Sequence, residues 1–296
     1  MEGQKDKIIR SRYRKNKLFR SIVVFLTVVA VIPIILIISE VFLKGVRQIN
    51  FSFFTETAPD SFQAMAAAAG NEIIPGGIAN GITGTLLIVL IASFISVPAG
   101  LMTGVYLAEN RTSRYSDLIR NITEILQGVP SIVLGIIAYL WIVKNVTNGF
   151  SALAGSVALA IMMMPMIIRS TEETMKMIPS EIREAAYALG TPYHRIILQV
   201  LIPSGFSGLS TGILLSLSRI IGETAPLMMT ALGSSVINLD ITKPVSAVPL
   251  LIWEFYNDPN MVKMVWSSSL FLMILVLTLN IISRTIASRN KTGRKR

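Results

Sequence analysis

The chain has 296 residues, 52% hydrophobic and 15% charged, with a mean hydropathy of +0.62. Soluble domains carry about 25% charged residues, so this composition points to a membrane protein. With no cysteine and one histidine it has no disulfide framework, thiolate metal site, cysteine nucleophile or multi-histidine metal site, and the net charge of +10 suggests nucleic acid only until the basic residues are located.

Residues 1–20 hold eight basic side chains (Lys5, Lys7, Arg10, Arg12, Arg14, Lys15, Lys17, Arg20), and residues 21–43 are then largely apolar. That run is long enough to cross a hydrocarbon core of ~30 Å at ~1.5 Å per residue. It is longer than a secretory signal and lacks a small-residue cleavage site, so it predicts a retained first span, with a kink expected at Pro33. Residues 44–78, with an alanine run at 66–69, read as an outside loop with a little structure. Further spans are expected at 80–107, 121–143, 151–168, 208–232 and 266–286, joined by hydrophilic connections at 108–120, 144–150, 169–207 and 233–265. The fold class is therefore all-α, a polytopic membrane protein of six transmembrane helices. Pro98, Pro130, Pro165 and Pro226 mark expected kinks or span ends. Gly100/Gly104 and Gly208/Gly212 stand at helix-packing spacing.

Charge placement sets the orientation. Of the 27 Lys and Arg, 21 fall on the side of the termini. Five (Lys44, Arg47, Lys144, Lys243, Lys263) fall opposite, and Arg219 lies within a span. The positive-inside rule places both termini, including the basic tail 287–296, and the polar stretch 181–203 in the cytoplasm. The net charge is a topology signal, and no nucleic-acid partner follows from it. Membrane lipid is the expected surrounding.

The polar stretch 181–203 is too charged for lipid and reads as two short helices. Ser180 serves as N-cap with Glu181 and Glu184 in the first turn, Gly190 as the stop, Thr191-Pro192 as a second start and Pro203 as the end. Such an element suits docking by another protein. In the next expected span, Arg219 and Glu223 are the one charged pair well inside the membrane. Counting from Gly208 puts Arg219 near the bilayer centre, on a small, polar helix face with Gly208, Gly212, Ser216 and Pro226. A buried arginine there must be paired or hydrated. Two readings stand together: an internal ion pair that locks the span, or the lining of a substrate route. Arg169, at the end of the fourth span, is either a snorkelling anchor or the inner ring of an anion path. Glu40 and Glu124 reach water at span ends, while Trp141, Trp253, Tyr256 and Trp266 suit an outer aromatic belt.

No catalytic constellation emerges: there is no GK[ST], no HExxH, and the G-x-S-x-G match at Gly208–Gly212 opens a membrane helix, where a nucleophile elbow needs a preceding strand. A stand-alone channel or secondary transporter, using Arg219/Glu223 as an ion-linked pair, is the alternative to docking-driven transport.

The stretch Glu184-Ala185-Ala186, three residues, Gly190, nine residues, then Val200-Leu201-Ile202-Pro203 resembles the EAA motif, E-A-A-x3-G-x9-I-x-L-P, of ABC importer membrane subunits, with Val for Ile and Ile for Leu. The run from Arg219 to Leu227 resembles the R-x-I-G-E-T-A-P-L signature of phosphate importer permeases. Gly84–Leu87, Gln127–Val133 and Met164–Arg169 fit the same family. Pro226, residues 249–256 and Leu279-Asn280 favour one of its two permease types. The similarity covers about residues 75–286; residues 1–20 and 21–74 carry little of it.

The resemblance implies a type I importer fold and a non-catalytic subunit. A sister permease subunit would lie beside it, a homodimeric ATPase holding ATP and Mg²⁺ beneath, and an extracytoplasmic phosphate-binding protein above. No cofactor is expected on this chain. It assigns ATPase coupling to Glu184, Ala185, Ala186, Gly190 and Pro203, and a phosphate route to Arg219, Glu223, Arg169, Ser216 and Thr224. An importer of another oxyanion is the alternative within that family.

Overall fold

A computed structural model describes residues 2–70 and 72–292. The last basic residues, 293–296, lie outside the described residues, as do the side chains of Lys5, Lys7, Arg10, Arg14 and of the tail from Ala287. Among the described residues every regular element is a helix, apart from one isolated bridge between Leu232 and Val245.

Helix α1 (Glu2–Gly45) fuses the basic N-terminal segment to the first span and runs on through Pro33. Residues 44–78 are more ordered than a loop. Two short helices, α2 (Phe51–Thr55) and α3 (Ser61–Ala69), place Phe53 and Ala64 in a core with no solvent exposure. The alanine run is thus the last turn of a packed helix, with Ala67 buried and Ala66 and Ala69 exposed. Helix α4 (Ala79–Glu109) is the second span and contains Pro98.

The third expected span divides. Helix α5 (Arg114–Gly128) and the helical segment Ser131–Val143, which begins with α6 (Ser131–Ala138), meet at 104°. Pro130 between them cannot donate a backbone hydrogen bond and disfavours helical geometry at Val129, which is extended. The sequence of α5 is amphipathic, with Arg114, Asp117, Arg120 and Glu124 among its apolar residues. Among the described residues, five helices are long and apolar enough to cross a membrane, and six if this bent pair is one span.

Helix α7 (Ala152–Lys176) extends beyond the expected end at 168, so Arg169 lies within it. It continues through Pro165. After α8 (Ser180–Ala188), the turn α9 (Tyr193–Arg195) leads through a wide, π-type stretch over Ile196–Leu201 into α10 (Ile202–Ile220). The expectation that Pro203 ends a separate short helix is corrected: Tyr193–Ile220 is one continuous span. Pro203 is tolerated because it falls in the first turn of α10, where the wide stretch has already displaced the regular hydrogen-bond ladder. The expected caps also shift. Pro179 and Pro192 occupy the cap positions, and neither helix has a side-chain cap.

The fifth expected span, 208–232, breaks after Ile220. A short helix, α11 (Ala225–Thr230), follows the turn. Arg219 and Glu223 therefore straddle the break and do not share one helix face. Connection 233–265 folds back as a packed cap containing α12 (Val248–Tyr256), and α13 (Val262–Thr292) is the last span.

Small residues explain the helix arrangement. Helix α7 lies between α4 and α10. A Cβ on Gly100 would stand 2.7 Å from Ile167 Cγ2, and one on Gly104 2.5 Å from Thr171 Cβ. On the other flank, Gly208 faces Thr174 and Gly212 faces Ser170, again with no room for a methyl group. The anticipated glycine spacings are thus the surfaces through which α4 and α10 grip α7, with Ile88, Leu159, Met163 and Ile167 filling the core between. A second core joins Phe53, Ile74 and Ile78 to Val248, Leu251 and Phe255, at the end where α1 meets α13. Each large side chain fully buried there contributes about 1.5–3 kcal/mol.

Candidate functional site

The polar loop between α7 and α10 is fastened to the bundle by one face and presents the other. Ala186 is buried with Val105, Ala108, Met175, Ile196 and Leu201. Glu184, Ala185, Tyr187 and Leu189 are exposed, Leu189 at 84%. Helix α8 ends in the expected left-handed glycine: Gly190 has φ +71°, its N–H donates to Tyr187 O, and the Thr191 N–H donates to Ala186 O at 3.3 Å. This 6→1 and 5→2 pair closes the helix and reverses the chain.

At the last residue of α4, Glu109 holds both halves of the loop. Its Oε1 lies 2.7 Å from Arg183 Nη2 of α8, and its Oε2 accepts from the Tyr193 hydroxyl at 3.4 Å. Sequence reading missed Glu109 and Arg183 because they are distant in the chain and belong to no motif.

A second network joins the ends of α4, α5 and α7. Arg120 Nε donates to Glu172 Oε1 at 2.9 Å, Nη1 to Asp117 Oδ1 at 2.9 Å and Nη2 to Leu107 O at 3.1 Å. Lys176 reaches the same Glu172 oxygen at 2.5 Å. The guanidinium so satisfies a carbonyl at the end of α4 that has no helical partner while holding α5 on α7. The i,i+4 spacing of Glu172 and Lys176 was a usable signal; the role of Arg120 was not. The network lines a cavity of about 200 Å³ that also receives Arg169, itself paired with Glu173 at 3.2 Å and well exposed.

Arg219 is 52% exposed on the surface of the single chain. Its Nε is 3.7 Å from Glu223 Oε1, and its Nη1 is 3.4 Å from Met166 Sδ, near the middle of α7. The ion pair is long and open, leaving most of the guanidinium donors available. Ser216 is buried and donates to Gly212 O, and Thr224 precedes α11 half-buried. The structure brings Arg219 and Glu223 together and keeps Arg169 as a separate cation on α7. Ser216 is fully buried in the bundle.

Residues 97–291 match the family described as binding-protein-dependent transport system inner membrane component. This chain belongs to that family. Among its curated relatives, the phosphate transport system permease protein PstA of Yersinia pestis is 39% identical over 251 residues, covering 84% of this chain and 81% of the relative. The PstA of Xylella fastidiosa (strain 9a5c) is 37% identical, covering 84% of each chain. An inward-facing crystal form of the MetNI methionine ABC transporter aligns with a TM-score of 0.60 at 22% identity, covering 71% of this chain and 94% of that one. The fold is that of ABC importer permeases, a multi-pass membrane architecture. In a member of this family the loop at α8 and the cation at the α10 break are the two features to explain.

Proposed function

We propose that this chain is a permease subunit of an ATP-driven inorganic phosphate importer, forming half of the translocation path beside a sister permease. The observation that carries the reading is the similarity to PstA permeases over 84% of the chain. ATP, with Mg²⁺, is hydrolysed by a separate homodimeric ATPase that docks on the exposed face Glu184, Ala185, Tyr187 and Leu189. Gly190 and Pro203 shape that loop without needing to touch the partner. An extracytoplasmic phosphate-binding protein delivers the anion from the opposite side.

Arg219 supplies the cationic donor. Its planar fork suits two phosphate oxygens, and the 3.7 Å gap to Glu223 is loose enough for the anion to replace the carboxylate as principal partner. Thr224 and Arg169 stand as further polar groups along the route, with Ser216 shaping the helix from inside. Closure of the ATPase dimer moves α8. Through Glu109 and the continuous helix Tyr193–Ile220, that movement reaches Arg219 without crossing a flexible joint.

The test is labelled phosphate uptake in cells whose own permease is replaced by this chain together with its partner subunits. Arg219→Ala is expected to lower uptake by about tenfold or more, the worth of one charge-assisted contact, while membrane insertion stays normal. Uptake near the wild-type rate would remove Arg219 from the path. Equal competition by sulfate or molybdate would overturn phosphate as the substrate.

A further inference from the structure

Away from the transport features, a cavity of about 480 Å³ opens where the end of α1 meets the start of α13. Of the five basic residues assigned to the side opposite the termini, three converge on it: Lys44, Arg47 and Lys263. Positive charge is scarce on that side, so gathering most of it in one pocket calls for a local reason. Lys44 Nζ sits 4.6 Å from the Trp266 ring centre and 2.6 Å from Glu40 Oε1. Lys263 Nζ donates to Glu72 O at 3.0 Å, and Glu72 lines the same cavity. Three cations against Glu40 and Glu72 leave the rim with net positive charge.

The walls are fixed. Buried Gln48 clamps the backbone of Ile74 twice, through Nε2 to its carbonyl at 2.5 Å and Oε1 from its N–H at 3.2 Å. Ser267 Oγ donates to Gly45 O at 2.7 Å, and a Cβ on Gly45 would stand 2.7 Å from Leu270 Cβ. Helix α1 is unburied along its apolar window and, among its described side chains, is held at this end against α13. The pocket therefore has rigid walls beneath a cationic rim and opens onto the bare apolar surface of α1, where Phe42 and Leu43 are exposed at 55% and 67%.

We propose that this pocket binds the phosphodiester headgroup of an anionic membrane phospholipid, with its acyl chains lying along α1. A compact anion fits the converging ammonium and guanidinium donors. The adjoining apolar helix surface suits lipid tails, and Trp266 is the amphipathic ring suited to the depth between them. Inorganic phosphate shares the headgroup chemistry but gains nothing from that apolar surface, so the pocket selects the lipid.

The full chain, purified in mild detergent after exposure to phosphatidylglycerol vesicles, is examined by intact-complex mass spectrometry. Arg47→Gln with Lys263→Gln is expected to lower retained phosphatidylglycerol by about tenfold or more, since each surface cation is worth roughly fivefold. Lys144→Gln with Lys243→Gln, which removes the same charge elsewhere on that side, is expected to retain the wild-type amount. Equal retention by both double variants overturns the proposal. So does saturable quenching of Trp266 by inorganic phosphate in a delipidated chain that retains no lipid. Should the first double variant fail to insert, Trp141→Phe with Trp253→Phe leaves Trp266 as the reporter. Acyl-brominated phosphatidylglycerol must then quench it more than equally brominated phosphatidylcholine, and equal quenching overturns the headgroup site.

Discussion

Ala185 and Ala186 are adjacent small residues with opposite duties, and substitution separates them. Ala186 is 7% exposed in the core beneath the loop, while Ala185 faces outward. Ala185→Glu is expected to weaken capture of the ATPase while leaving the melting temperature of the detergent-purified chain within a degree or two, as surface changes do. Ala186→Glu buries an unpaired carboxylate and is expected to lower both, because the loop itself detaches. Matching effects from the two variants would remove the distinction between docking face and anchoring face. Glu109 extends the argument at the same scale. Glu109→Gln leaves Arg183 without its charge partner at a largely buried site. It is expected to cost roughly 2–3 kcal/mol of local stability, somewhat below a fully buried pair. The checkable result is faster proteolysis near Gly190 with little change in the cleavage of α4. These roles were legible in part. The motif spacing gave Ala185, Ala186 and Gly190, whose positions follow from local helix geometry. Glu109 and Arg183 meet only after two spans have packed, and no local pattern records that.

At the scale of elements, the decisive contacts are backbone approaches at glycine. Gly212 sits against Ser170 with no space for a methyl group, so Gly212→Ala forces α10 away from α7. Overpacking of this kind costs about 1–3 kcal/mol. The variant is expected to melt several degrees lower in detergent, and Ser170→Gly in the same chain is expected to recover at least half of the loss by restoring the gap. A double variant no more stable than Gly212→Ala would place the defect elsewhere. The glycine spacing was visible in sequence, as was the apolar content of every span. The breaks were harder to read. Hydropathy merges α5 with α6 and α10 with α11 because the apolar residues on either side outweigh the few polar ones at each joint. Proline alone does not decide the matter: Pro98 and Pro165 lie inside continuous helices, whereas Pro130 divides α5 from α6. Pro203 is carried by the wide stretch ahead of it. Whether a proline breaks a helix depends on which neighbouring groups can take the freed carbonyl, and that is a tertiary property.

For the whole molecule, the arrangement makes a specific claim about sidedness. The loop anchored by Glu109 and the turn between α4 and α5 should lie on the side rich in Lys and Arg. The cap built from residues 233–258 should lie on the other, since the helices between them alternate in direction. The bent α5–α6 pair carries this claim: Gly100 against Ile167 and Gly104 against Thr171 run α4 and α7 in the same direction, so the chain between them must return across the membrane. The absence of cysteine makes this directly measurable, because any introduced thiol is the only one in the chain. Thr112→Cys, in the exposed turn after α4, and Leu239→Cys, 68% exposed in the cap, are positions whose side chains hold no packing role. In intact cells a membrane-impermeant maleimide is expected to label Leu239→Cys and not Thr112→Cys, with both labelled after permeabilisation. Labelling of both positions without permeabilisation would put the α4–α5 turn and the cap on one side and overturn the parallel packing of α4 and α7. The reverse pattern would invert the whole chain, place the α8 loop outside the cell and leave a cytoplasmic ATPase nothing to grip.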